Sequence, residues 1–107
     1  MTPFRGTVGG MADKRHEVDL TDVKKDLKKS VPIQAVQKLL AWAMLVERWG
    51  LDYTNLHQRS FHMEPLRGKL KGLWSVRLTL KWRAIYRVVN GTEVVLVKVE
   101  RITPHAY

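Results

Sequence analysis

The stretch EPLRGKLKGLWSVRLTLKWRAIYR spans residues 64–87 and decides the fold. Residues 73–80 within it alternate apolar with polar side chains, which is typical of a strand with one buried face. A second strand is predicted over residues 83–89. The Asn90-Gly91 pair that follows favours a two-residue hairpin turn, because both residues tolerate the positive φ of such turns.

Strand pairing decides which cations share a face. The two-residue turn pairs Arg83 with Lys98 and places Arg87 on the same side. Arg77 joins these cations if the preceding turn has three residues, which pairs Thr79 with Arg83, and faces the other way if the turn has two. We favour three residues, because that register gathers the apolar residues on one side: Trp74, Val76, Leu78, Tyr86, Val95 and Val97.

A first helix is predicted ahead of this stretch. Apolar residues recur at intervals of three and four through Leu20, Val23 and Leu27, with lysines on the other side. The side-chain oxygen of Thr21 or Asp22 can cap this helix.

A second helix begins at about Pro32 and ends at Gly50, since proline suits a first helical turn and glycine a C-terminal stop. Its wide apolar stripe includes Trp42, Met44 and Trp49, which we expect in the core. The short connection between the two helices predicts an antiparallel hairpin. The fold class is therefore α+β, with an N-terminal helical hairpin packed on one face of a small twisted, mostly antiparallel sheet.

The remaining segments complete a single domain of residues 1–107. Residues 1–16 lack periodicity and are expected to form a weakly ordered extension. Residues 16–21 form a short edge strand, and residues 50–66 a loop that leads into the sheet. The chain leaves the sheet at Pro104.

Composition narrows the function classes. The 107 residues carry 19 Lys and Arg against 10 Asp and Glu, a net charge of +9, which favours nucleic acid, an acidic protein or an anionic membrane surface as partner. The absence of cysteine excludes disulfides and thiolate metal sites. No apolar run is long enough to cross a bilayer, so we expect no membrane association and a cytoplasmic location. His57 and His62 lack a third ligand, and we expect no metal and no cofactor.

The C-terminal part holds the groups that metal-free RNA cleavage needs. That reaction requires a base for the 2′-hydroxyl, cations for the phosphoryl oxygens and an acid for the 5′-oxygen. Glu64 is a candidate base, Arg83 a candidate cation and His105 a candidate acid. Glu64 as a surface acid and the arginines as solvated strand residues stay open as alternatives.

These motifs resemble the RelE superfamily of toxins from type II toxin-antitoxin systems, in particular its YoeB-like and RelE/StbE-type members. The matching residues are Glu64-Pro65-Leu66, Gly72-Leu73-Trp74-Ser75 with Arg77, Arg83 with Tyr86, and His105 with Tyr107. The resemblance implies an endoribonuclease that cuts mRNA in the ribosomal A site and is silenced by a cognate antitoxin. Its partners would be that antitoxin, the ribosome and mRNA.

The resemblance also implies a role for each matching residue. Glu64 would be the general base and Arg83 would stabilise the transition state. His105 would be the general acid, and Tyr107 would orient the scissile nucleotide. The RNA-binding residues would be Lys69, Lys71, Arg77, Arg87 and Lys98. The tail departs from the YoeB-like pattern, because Ala106 separates His105 from Tyr107.

Two other function classes remain. ParE-like members of the same superfamily inhibit DNA gyrase without being enzymes, and generally lack this set of acids and bases. A plain RNA-binding module would need only the basic face. Glu64, Arg83, His105 and Tyr107 occur together in this chain, which favours the enzyme.

Overall fold

A computed structural model describes residues 14–104 of the chain. The predicted extension of residues 1–16 lies outside this range except at its end, which enters the first strand. His105 and Tyr107 also lie outside the described residues.

Five strands and three α-helices make up the described part. The strands are β1 (Arg15–Asp19), β2 (Glu64–Pro65), β3 (Trp74–Arg77), β4 (Trp82–Asn90) and β5 (Val94–Pro104). The α-helices are α1 (Lys24–Lys29), α2 (Ile33–Trp49) and α3 (Leu51–His57), and short 3-10 turns lie at Thr21–Val23, Arg59–Phe61 and Gly68–Leu70.

The strands form one mixed sheet in the order β1-β5-β4-β3-β2. Every neighbouring pair is antiparallel except β1 and β5, which are parallel. The predicted edge strand near residue 16 is therefore confirmed, and so is the α+β class with its mostly antiparallel sheet. Within residues 14–104, no helix is long and apolar enough to span a membrane.

The second helix is confirmed with its two boundaries. Pro32 precedes the first helical residue, with an extended ψ of 147°, and Gly50 follows the last one with a φ of 90°. Gly50 is needed there for two reasons. Its φ is one that other residues rarely adopt, and a Cβ atom at this position would lie 3.2 Å from Cε1 of His16.

The first helix is shorter than the sequence suggested and begins as a 3-10 turn. Neither Thr21 nor Asp22 caps a helix with its side chain. Instead, Oδ1 of Asp19 accepts a hydrogen bond from the Thr21 amide at 2.9 Å. The acceptor comes from the preceding strand, so the capping prediction identified the right chemistry at the wrong residue.

The prediction of a loop over residues 50–66 is wrong. This segment contains α3, the 3-10 turn Arg59–Phe61 and the short strand β2. A seven-residue helix is too short for its periodicity to stand out from the sequence. It is held from its first turn, where the hydroxyl of the buried Thr54 donates to the Gly50 carbonyl at 2.8 Å.

The core lies between the helices and one face of the sheet. Trp42 of α2 packs against Tyr86 of β4 with ring centroids 5.0 Å apart, and Trp74 of β3 stacks on the same tyrosine at 6.4 Å. The prediction that Met44 and Trp49 are core residues is wrong, because both are exposed. Met44 lies on the side of α2 that faces away from the sheet.

The β4–β5 hairpin is wider than predicted. Asn90 pairs with Val95, so the last residue pair encloses four residues rather than two, and the Gly91 amide donates to the Val94 carbonyl at 2.9 Å. Arg87 pairs with Lys98, whereas the predicted pair of Arg83 with Lys98 is wrong. The register differs from the prediction by an even number of residues at this end, so Arg87 and Lys98 still share a face.

A β-bulge interrupts β5 at Glu100. Tyr86 pairs with Val99, but the next residue of β4, Ile85, pairs with Arg101, which leaves Glu100 as the extra residue. Up to Val99, every second residue of β5 lies in the core. The next core residue is Ile102, three residues later. Arg101 therefore points to the face away from the helices.

The β3–β4 connection is also longer than expected. Arg77 pairs with Arg83, where the prediction paired Thr79 with Arg83. The shift is two residues, so Arg77 remains on the same face as Arg83, as predicted. Strand β3 accordingly ends at Arg77 rather than at Leu80.

Candidate functional site

The candidate site is the sheet face opposite the helices, which we call the open face. Two rows of directly paired residues cross it. The first row runs through Glu64, Ser75, Ile85 and Arg101, one residue from each of the strands β2 to β5. The second row, next to it, runs through Arg77, Arg83 and Thr103.

Glu64 stands at the edge of this face and is exposed. Its carboxylate makes no hydrogen bond or ion pair with any residue from 14 to 104. Its row neighbour Ser75 is fully buried. Arg77 is its diagonal neighbour, and such side chains lie roughly 7–8 Å apart. The carboxylate is therefore near a cation but not paired with it, as a titrating base requires.

Arg77 and Arg83 lie opposite each other, and each has a nitrogen atom with an unmet hydrogen bond. Nε of Arg77 and Nη1 of Arg83 are buried, and neither has a partner within residues 14–104. A buried guanidinium nitrogen without an acceptor is costly, and two like charges directly opposite each other repel. A bound anion would remove both penalties, since arginine binds phosphate oxygens through several N–H groups at once.

Arg101 belongs to this site, although the sequence analysis did not include it. It occupies the end of the first row, is exposed, and pairs with no acidic residue in the described part. Regular alternation from Lys98 would put Arg101 in the core. Only the bulge at Glu100 brings it to the open face, and the sequence carries no strong signal for that bulge.

Two predicted RNA-binding residues are engaged in ion pairs. Nε of Arg87 donates to Glu100 at 2.6 Å, and this hydrogen bond raises the pKa of the guanidinium. Nζ of Lys98 lies 3.4 Å from a carboxylate oxygen of Asp22. The structure therefore places Arg87 and Lys98 on the open face but compensates part of their charge.

Lys69 and Lys71 lie in the turn between β2 and β3. Both are exposed, and neither side chain makes a hydrogen bond or an ion pair with the described part of the chain. The turn follows Glu64 directly in sequence. These two lysines are therefore available to an anion that approaches the edge of the open face.

His105 and Tyr107 lie outside residues 14–104. The last residue that the structure describes is Pro104. Pro104 pairs with Trp82, the neighbour of Arg83 in β4. The described chain thus ends one residue past Thr103, which belongs to the row of Arg77 and Arg83.

Tyr86, the remaining residue of the motif, is on the other side of the sheet. It is buried between Trp42 and Trp74, and this burial raises the pKa of its phenol. A cavity of about 650 Å³ lies on that side, partly lined by Tyr86. Among residues 14–104, none of the predicted site residues lines it, so we do not assign the chemistry to it. Among residues 14–104, no three His, Asp or Glu side chains are grouped so as to hold a metal ion.

Comparisons with known proteins identify the fold. No protein-family profile matches the chain. The chain is 23% identical over 73 residues to the endoribonuclease HigB of Proteus vulgaris, a match that covers 68% of this chain and 78% of HigB.

Solved structures agree with this match. One is the toxin-antitoxin complex RelBE2 of Mycobacterium tuberculosis, with a TM-score of 0.54 and 22% identity, covering 86% of this chain and 98% of the other. Another is YafQ of E. coli, with a TM-score of 0.52 and 17% identity over 87% and 94% of the two chains. A third is the YoeB dimer of Staphylococcus aureus, with a TM-score of 0.52 and 17% identity over 88% and 98%.

Proposed function

We propose that this chain, which has the fold of the RelE superfamily as its sequence predicted, is the toxin of a type II toxin-antitoxin system. Its activity is that of a metal-independent endoribonuclease, which cleaves mRNA in the ribosomal A site and so inhibits translation. The observation that carries the proposal is the open face, where the Glu64 carboxylate stands beside two arginines, and neither that carboxylate nor their buried nitrogens has a partner within residues 14–104.

The reaction assigned to this face is transfer of the phosphoryl group to the neighbouring 2′-oxygen. Glu64 takes the proton of the 2′-hydroxyl as that oxygen attacks phosphorus. The bond from phosphorus to the 5′-oxygen breaks, and His105 gives a proton to this leaving oxygen. The products are a 2′,3′-cyclic phosphate and a 5′-hydroxyl, so no water and no metal is consumed.

The arginines act on the phosphoryl oxygens. Negative charge grows on these oxygens in the transition state, and fixed donors aimed at them lower the barrier. Arg77 and Arg83 have N–H groups that need an acceptor, and Arg101 adds a third cation on β5, three strands from Glu64. Arg83 is the central residue of this group, because its strand pairs with both β3 and β5.

RNA binding extends beyond the reacting phosphate. The open face is a surface rather than an enclosed pocket, which suits an extended single strand. Lys69 and Lys71 hold the backbone on the Glu64 side, and Arg87 and Lys98 add weaker contacts because their charges are partly compensated. Tyr107 orients the scissile nucleotide.

A partner protein and a cellular location complete the proposal. The solved structures of RelBE2 and of DinJ-YafQ are toxin-antitoxin complexes, and we propose a cognate antitoxin for this chain as well. Messenger RNA and the ribosome place its action in the cytoplasm.

Mapping of mRNA 5′ ends tests the proposal. The wild-type chain and Arg83→Ala are expressed in growing cells, and Lys25→Ala serves as the matched control, since Lys25 is an exposed cation on α1. We expect new 5′ ends within translated codons for the wild type and for Lys25→Ala, and none for Arg83→Ala. Growth arrest with intact messages would instead indicate a gyrase inhibitor, and cleavage that ignores Arg83 would contradict the assigned site.

Purified ribosomes test the location of the cut. Messenger RNA with a defined codon in the A site is incubated with the chain, alone or on ribosomes. Cleavage at that codon only on ribosomes supports the A-site assignment. Equal cleavage of free RNA would overturn it and leave the endoribonuclease activity standing.

A further inference from the structure

Helix α2 has a second apolar stripe that faces solvent. We call Ile33, Leu40 and Met44 the outer stripe; they are 66%, 45% and 70% exposed. At about 100° per residue, these three side chains point within roughly 40° of one another. The core residues of the same helix, such as Leu39, Trp42 and Val46, point to nearly the opposite side.

The spacing of the outer stripe is that of a helix-packing seam. Ile33 and Leu40 are seven residues apart, and Leu40 and Met44 are four apart. This is the spacing of two successive d positions and the following a position of a heptad repeat. Such a seam fits an amphipathic helix laid along α2. Leu40 and Met44 are one helical turn apart, and adjoining exposed apolar side chains mark an interaction site more often than single ones.

Charge identifies the kind of helix. Residues 21–49 hold six cations and three acids. Two of the acids are engaged, because Glu47 accepts from the Val18 amide at 2.8 Å and Asp22 pairs with Lys98. The four lysines of α1 make no ion pair in the described part of the chain. Helix α1, which ends four residues before α2 begins, therefore carries a net positive charge that complements an acidic segment.

A second copy of this chain fits less well. Two chains of charge +9 would bring their lysine-rich helices together, and like charges oppose that association. The outer stripe alone also offers far less than the roughly 800 Å² per partner of a standard interface. A longer acidic segment that continues from the stripe onto α1 would be attracted by the lysines rather than repelled, and it would bury a larger area than the stripe alone.

We propose that the outer stripe of α2 is the docking surface for an acidic amphipathic helix of the antitoxin. The proposal rests on the proposed function for the partner's identity. Helix α2 packs on the core face of the sheet, whereas Glu64 and Arg83 belong to the open face. Docking on α2 therefore leaves the catalytic face uncovered, and binding is separable from inhibition.

Site-specific crosslinking tests the surface. The photoreactive residue p-benzoylphenylalanine replaces Met44, or Leu56 as the control, because Leu56 is a similarly exposed apolar residue on α3. The chain is expressed from its native locus, and crosslinked peptides are identified by mass spectrometry. We expect position 44, and not position 56, to link to an acidic helical segment of the protein from the adjoining reading frame. A link to a second copy of this chain, equal labelling at both positions, or no link at position 44 would overturn the proposal.

Charge substitution provides the second arm. We expect Leu40→Lys with Met44→Lys to weaken binding of the co-expressed antitoxin at least thirtyfold, while Leu56→Lys leaves it unchanged. Circular dichroism checks that the variants fold, and the crosslinking arm stands if they do not. RNA cleavage by the double variant should match the wild type, so loss of docking and loss of the ribonuclease activity are measured separately. If no variant cleaves RNA but the crosslink forms, the docking surface stands and the proposed activity fails.

Discussion

Arg77 and Arg83 lie directly opposite each other across β3 and β4, and each has a buried nitrogen that finds no hydrogen-bond acceptor in the described part of the chain. Directly opposed like charges destabilise a sheet by up to about 1 kcal/mol. We therefore expect Arg77→Gln to raise the free energy of unfolding at low salt by about 0.5 kcal/mol and to reduce RNA cleavage. Urea denaturation at low and high salt measures the first effect, which should shrink as salt is added. Lys25→Gln is the control, and an equal gain there would show that the effect comes from net charge alone.

We expect the Glu64 carboxylate to contribute little to stability. It forms no ion pair with residues 14–104 and is exposed, so we expect Glu64→Gln to leave the melting temperature unchanged. Removal of a general base typically lowers the rate by about 10²–10⁴-fold, and single-turnover cleavage on ribosomes should fall by at least the lower figure. Glu93→Gln is the matched control for loss of an exposed carboxylate. A Glu64→Gln variant that cleaves at the wild-type rate would exclude the carboxylate as the base.

Glu100 holds Arg87 in an ion pair at 2.6 Å. Substitution Glu100→Gln keeps the shape of the side chain and frees the guanidinium to meet phosphate. Each additional phosphate contact steepens the dependence of binding on salt by roughly 0.7 in log units for a single strand. We expect tighter RNA binding for this variant and a steeper salt slope, measured by fluorescence anisotropy with a labelled single strand. Unchanged affinity and slope would mean that Arg87 lies outside the RNA path.

Tyr86 has a pKa raised by burial, and the sign of its effect on stability follows. Ionisation of the phenol is disfavoured in the folded state, so the wild type loses stability as pH rises above the unfolded value of about 10. We expect Tyr86→Phe to remove this alkaline loss, to leave stability at neutral pH within about 1 kcal/mol, and to keep full RNA cleavage. Unfolding measured from pH 8 to 11 tests the first two expectations. Loss of cleavage in this folded variant would return Tyr86 to the site.

Gly50 separates α2 from α3 with a φ of 90°, and a Cβ atom there would lie 3.2 Å from Cε1 of His16, closer than ordinary van der Waals contact. We expect Gly50→Ala to lower the free energy of unfolding by more than about 1 kcal/mol, because strain at positive φ and the close contact act together. Trimming the neighbour with His16→Ala should recover the part that comes from the contact. A neutral Gly50→Ala would show that the connection relaxes freely.

The sequence predicts best those features that depend on periodicity and parity. The helix between Pro32 and Gly50 and the shared face of Arg77 and Arg83 were correct, although the latter pair stands two residues away from the predicted register. An even shift preserves the face, so the predicted placement of the two arginines on one side of the sheet was correct despite an error in pairing. Helix α3 was not predicted, because seven residues make too few turns for a helical spacing of apolar residues to be recognised.

Contacts between distant segments were out of reach. Met44 looks like a core residue in a broad stripe, and only the packing of α2 on the sheet shows that it faces solvent. The ion pairs of Arg87 and Lys98 depend on Glu100 and Asp22, and those partners follow from a register and a helix position that the sequence does not fix. The position of Arg101 on the open face likewise depends on the bulge at Glu100, for which the sequence carries no strong signal.

The bulge at Glu100 makes chain length, as much as residue identity, a determinant of this surface. Deletion of the single residue 100 would shift the phase of the last four residues of β5, so that Arg101 turned inward and Ile102 outward. Substitution at the same position removes only a partner of Arg87. Relatives that differ by one residue in this strand will therefore present opposite sets of side chains to an incoming RNA, even where their aligned letters agree.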